Sequence, residues 1–140
     1  MTSTSKKHSS VFPRQKLPEK HTYLAPDHSE IRILFEVTGA GVAHCRLPPG
    51  ATSSSVRHKS VNEIWYILSG TGEIWQGRDG LNDFADLTAG VCLTIPVGNS
   101  FQFRNTGPDD LDILITTVPN WPGPEEAVPV AGFWKDTDQI

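Results

Sequence analysis

Apolar stretches in this chain are short, and glycine or proline stops almost every one of them. Ile31–Val37 runs into Gly39-Ala40-Gly41, and Val42–Leu47 is halted by Pro48-Pro49-Gly50. Glu63–Leu68 ends at Ser69-Gly70-Thr71-Gly72, and Glu73–Gln76 leads into Arg78-Asp79-Gly80. Val91–Ile95 meets Pro96-Val97-Gly98, Ser100–Asn105 meets Thr106-Gly107-Pro108, and Leu111–Val118 closes the series. Proline and glycine are unwelcome inside helices, whereas short runs between turn signals are how sandwiches and barrels are written. An all-β domain of about Ile31–Val118 is therefore expected. Residues 1–30 read as an N-terminal arm, and 119–140 as a C-terminal tail packed on the barrel, with Trp121, Phe133 and Trp134 as anchors.

Charge narrows the function. The net charge is −4 and no cluster of Lys/Arg with interleaved aromatics stands out, so nucleic acid is not an expected partner. No apolar run approaches the length of a membrane span. The leading residues Met-Thr-Ser-Thr-Ser-Lys-Lys-His lack the apolar stretch that secretion needs, and a cytoplasmic location with Cys45 and Cys92 reduced is the expectation. Both cysteines read as packed core residues. The arm carries Lys6, Lys7, Arg14, Lys16 and Lys20 against Glu19; it is either mobile or a strand that crosses onto a partner through Val11, Phe12 and Leu17.

Two blocks carry a more specific signal. Gly50 is followed after five residues by Val56, with His58 two further on; Glu63 comes after four more residues, and Gly70 after six. Gly90 is followed after five residues by Pro96-Val97-Gly98, then after two by Phe101, and after three by Asn105. These blocks resemble the two motifs of the cupin superfamily, Gly, five residues, His-x-His, three or four residues, Glu, six residues, Gly, and Gly, five residues, Pro-x-Gly, two residues, His, three residues, Asn. The resemblance implies a double-stranded β-helix, or jelly-roll, barrel and a homodimer. It also implies a metal held by the motif's three histidines and glutamate. Here Val56 and Phe101 stand at two of those four positions, leaving His58 and Glu63.

Because side chains alternate faces along a strand, Val56 and His58 point one way, as do Glu63 and Trp65, and as do Phe101 and Phe103. A partly apolar pocket lined by Val56, Trp65, Phe101 and Phe103 is expected, with a His58/Glu63 acid–base pair in it. Arg46 is the candidate to grip an anionic group. The function expected on these grounds is binding of a small organic ligand, any chemistry running through His58 and Glu63 without a tightly held cofactor. Whether it is an enzyme stays open. A second reading is a metal-dependent dioxygenase or isomerase, in which a divalent ion is held by His58, Glu63 and a recruited His44; a third is a non-catalytic interaction module. His44 and Cys45 face opposite ways, and alternation alone does not say which points inward. Glu125, Glu126, Asp136 and Asp138 read as solvated charge.

Overall fold

The computed structural model describes residues 11–25 and 28–137. Lys6, Lys7, His8 and Asp138 lie outside them. Among the described residues there is no α-helix. The strands are β1 Tyr23–Leu24, β2 Glu30–Val37, β3 Ala40–Leu47, β4 Val56–His58, β5 Asn62–Ser69, β6 Thr71–Arg78, β7 Leu81–Thr88, β8 Cys92–Ile95, β9 Ser100–Asn105, β10 Leu111–Val118 and β11 Ala127–Pro129. They form two antiparallel sheets, a six-stranded one in the order β1-β2-β3-β10-β5-β8 and a five-stranded one in the order β11-β4-β9-β6-β7. This is the jelly-roll arrangement expected from the motif blocks.

Turn chemistry sets the register. Asp79 and Gly80 both adopt positive φ, 52° and 81°, which a two-residue hairpin of the primed type demands, and Arg78 pairs with Leu81 across it. Gly70 has φ 93°, and a Cβ there would meet the Asp110 carbonyl oxygen at 2.4 Å, so the sharp corner between β5 and β6 admits only glycine.

The inner faces of the two sheets close on a core of Cys45, Leu47, Trp65, Ile67, Ile74, Leu87, Ile95, Phe101, Phe103, Leu111 and Ile113. Trp65 is only 1% exposed and meets Phe101 and Phe103 edge-to-face, with ring centroids 5.7 and 4.9 Å apart. Cys45 belongs to this core, whereas Cys92 is exposed, contrary to the expectation that both thiols are packed. Strand β7 reads Leu-Asn-Asp-Phe-Ala-Asp-Leu-Thr and escapes sequence analysis because, as an outer edge, it buries only Leu87.

The described parts of both terminal segments lie along the barrel. Arg32 donates to the carbonyls of Pro18 and Glu19, the Gln15 amide donates to the Leu34 carbonyl, and β1 pairs with β2. At the other end, β11 pairs with β4. Gln102 then fastens the tail to the five-stranded sheet. Its Oε1 accepts from the backbone N–H groups of Phe133 and Trp134, and its Nε2 donates to the Ser53 and Trp134 carbonyls.

Candidate functional site

Strand alternation delivers His58 and Glu63 to the same interior. His58 ends β4, Glu63 lies near the start of β5, and the two are 4% and 6% exposed. His58 Nδ1 stands 3.9 Å from Glu63 Oε2, beyond hydrogen-bond range, and has no hydrogen-bond partner among the described residues. The other carboxylate oxygen of Glu63 accepts from Trp65 Nε1 at 2.8 Å.

Burial sets the protonation of both groups. It pushes the Glu63 carboxyl from its ordinary 4.5 up to about 7; the Trp65 hydrogen bond pulls the other way, and the negative charge of Glu126 adds to the rise. Burial likewise lowers the His58 pKa, opposed by the attraction of Glu126. Near neutral pH the contact therefore brings a neutral imidazole to a carboxyl that is largely or partly in its acid form.

Aromatic rings enclose the pair. Phe101 and Trp121 each meet the His58 ring edge-on, with centroids 5.2 and 5.1 Å away. Val56 pairs with Phe101 across β4 and β9, and Phe103 reaches the group through Trp65. Val56, His58, Glu63, Trp65, Phe101 and Phe103 thus come together as the alternation of faces requires. The rings pack against one another, however, and so fill much of the interior that was expected to be pocket. Of two surface grooves, one of about 290 Å³ lies at Gln76, Arg78 and Asn99, and one of about 330 Å³ lies beside the site along Lys59, Pro122 and Glu126.

The other two expected residues are corrected. His44 and Arg46 are on the outer face of the six-stranded sheet, because Cys45, between them, takes the inward position. His44 Nε2 and Arg46 Nε both contact Asp112 Oδ1 at 2.8 Å, and Ser69 Oγ donates to Asp112 Oδ2. His44 therefore does not reach His58 and Glu63 as a third metal ligand, and Arg46 does not line the interior. Among the described residues no group of three or more His, Cys, Asp or Glu side chains is placed to hold a metal ion. With Val56 and Phe101 at two of the positions where the motif has histidine, the donor set does not fit a structural or catalytic metal centre.

Sequence analysis missed two participants, both from the tail. Trp121 was expected as an outer anchor, and it covers His58 instead. Glu126 was read as solvated charge, yet it is 4% exposed and accepts from Ser60 N–H at 2.6 Å, Val61 N–H at 2.8 Å and Ser60 Oγ at 2.7 Å. Burial would raise its pKa, but the bonds from Ser60 and Val61 outweigh this and hold the carboxyl below its ordinary range. No local pattern marks Glu126. Its partners are backbone donors some 65 residues away in sequence.

Comparison with known proteins bears on the same region. The family model described as "Cupin domain" matches residues 43–117. A curated relative, the oxalate-binding protein of Thermotoga maritima, is 34% identical over 76 residues, which is 54% of this chain and 60% of the relative. The chain thus spans about 60% of that relative's length, less than two thirds of it. Among solved structures, the capsular polysaccharide assembling protein CapF from Staphylococcus aureus superimposes with a TM-score of 0.68 at 19% identity, over 74% of this chain and 32% of that one. KdgF from Halomonas sp. gives 0.60 at 18% identity, over 72% of this chain and 86% of that one. At these identities the structural likeness speaks for the fold alone.

Proposed function

This chain belongs to the cupin domain family, and on that premise we propose that it binds a small organic molecule at the barrel site through His58 and Glu63, without a tightly held metal. The observation that carries this reading is the buried pair itself. A neutral imidazole nitrogen without a partner stands 3.9 Å from a carboxyl whose pKa is near 7. Such a pair presents a hydrogen-bond acceptor and a donor side by side, and a ligand hydroxyl, amide or carboxyl satisfies both. The same two groups are suited to moving a proton on a bound ligand, since a neutral imidazole takes one up and a carboxyl in its acid form gives one. A ligand reaches them when Trp121 gives way.

Similarity to the oxalate-binding protein of Thermotoga maritima makes a small carboxylic acid the first class to try. Oxalate itself suits this interior poorly as a dianion. The side chains packed round the pair, Val56, Trp65, Phe101 and Trp121, supply no counter-charge, and an unpaired buried charge is costly.

Elemental analysis of protein purified without chelator tests the metal-free part. Metal well below one equivalent is expected, with no difference between wild type and His58→Ala. Near-stoichiometric metal that disappears in His58→Ala would overturn the reading.

A homodimer is the second part of the proposal. The outer face of the six-stranded sheet carries Phe35, Val42, Leu114, Ile64 and Tyr66 in neighbouring rows, and Phe35, Ile64 and Tyr66 are each more than 40% exposed. An apolar stripe on a flat sheet suits self-association. Wild type is expected to sediment as a dimer and Tyr66→Asp as a monomer; a wild type that is monomeric throughout the micromolar range would contradict this.

A further inference from the structure

Strand β7 is one edge of the five-stranded sheet and β8 is one edge of the six-stranded sheet, and a groove of about 290 Å³ is lined from both. It is lined by Gln76, Arg78, Asn82, Asp83, Thr94 and Asn99, with Leu81 and Pro96 beside them. Each of four polar side chains is fixed at one end by the protein. Gln76 Nε2 donates to the Thr94 carbonyl and to Asn99 Oδ1; Asp83 Oδ1 accepts from the Phe84 N–H; and Arg78 donates through one terminal nitrogen to the Val97 carbonyl. The Asn82 side chain is on the other face of β7, where its Oδ1 accepts from Trp75 Nε1. The other functional atoms of the four have no protein partner among the described residues. These are Gln76 Oε1, the amide nitrogen of Asn99, Asp83 Oδ2 and the rest of the Arg78 guanidinium.

A set of polar groups already held in place is what a polar ligand needs, because binding then costs little ordering of side chains. The inventory is also selective. One guanidinium matches one carboxylate by a charge-assisted bond. Beside it, a carboxylate and an amide oxygen accept hydrogen bonds, and one amide nitrogen donates them. Together they match hydroxyl groups, each of which both donates and accepts. At ~30 Å³ for each water-sized group, the groove holds roughly ten such groups, about the size of a four-carbon hydroxy acid.

We infer that the β7–β8 groove is a binding site for small hydroxy acids, with Arg78 on the carboxylate and Asp83, Gln76 and Asn99 on the hydroxyls. It is distinct from the His58–Glu63 site. Gln76 pairs with Phe101 across β6 and β9, and Phe101 is the ring packed on His58, so one aromatic residue adjoins both places. The inference does not depend on what the interior pair does.

Tartrate, succinate and erythritol separate the contributions of carboxylate and hydroxyl. In NMR titrations at millimolar concentrations, tartrate is expected to shift the side-chain amide resonances of Gln76 and Asn99. Succinate, without hydroxyls, and erythritol, without a carboxylate, are each expected to bind about tenfold more weakly, as loss of a charge-assisted or multiple hydrogen-bond contact implies. Arg78→Gln should weaken tartrate about tenfold. Asp83→Asn, at an exposed edge position where the fold is not at stake, should reduce the preference for tartrate over succinate. His58→Ala should leave the tartrate-dependent shifts of Gln76 and Asn99 unchanged, which distinguishes this groove from the interior site. Absence of shifts with tartrate, or equal binding of tartrate and succinate, would overturn the inference.

Discussion

Glu63→Gln is expected to be more stable than wild type by about 3 kcal/mol above neutral pH, and no more stable than wild type below about pH 4.5. The native carboxyl holds its proton to about 7, whereas in the unfolded chain it lets go near 4.5. Between those values the native state carries the extra proton, so the stability due to Glu63 is full at low pH and falls as pH rises through this window. Glutamine is neutral throughout and keeps an oxygen for Trp65 Nε1. Its amide also faces the unpartnered His58 Nδ1. His58 contributes with the opposite sign. Its pKa is lowered in the fold, so its share of stability is lost as pH falls below its ordinary 6.5. Subtracting the variant from wild type removes that share to a first approximation. Urea unfolding at several values from about pH 4 to 8 gives the difference; a flat difference would mean that Glu63 stays in water and that the interior is open.

Glu126→Ala is expected to cost about 3 kcal/mol or more at neutral pH. Three hydrogen bonds to a charged acceptor disappear, and the buried Val61 N–H is left without one. The pH dependence runs opposite to that of Glu63. The Glu126 carboxyl is held below its ordinary range, so its stabilisation is present at neutral pH and is lost on acidification below 4.5. Urea unfolding measures the cost, and the His58 titration followed by NMR shows what becomes of the tail. If the tail undocks, Trp121 leaves the imidazole and His58 returns toward 6.5. If the tail stays, loss of the nearby negative charge lowers His58 further. A cost below about 1 kcal/mol would show that water replaces Glu126 at these donors.

Much of the barrel was legible because turns and alternation are local. Gly70, Asp79 and Gly80 announce their corners, and the spacing of His58, Glu63, Trp65, Phe101 and Phe103 fixes which side chains share a face. What was not legible depends on distant chain. Alternation leaves two settings for β3, and burial did not choose between them. His44 on the outer face is as buried as Cys45 on the inner one, because Asp112 and the strands beside it shelter it. Glu126 and Trp121 come to the site from a segment rich in proline, whose only sequence message is that it cannot be a strand throughout. Strand β7 is too polar for any hydrophobic pattern to reveal.

That polarity has a consequence of its own for how copies of the chain keep apart. The outer side of β7 offers backbone N–H and C=O groups to any strand that comes alongside, the geometry from which aggregates grow. Asp83 and Asp86 sit on this edge, and Asp79 occupies the turn leading into it. A second β7 approaching in either direction meets like charge before its backbone can pair. The repulsion comes from side chains that pack on nothing, so how copies associate and how each one folds are set by different residues.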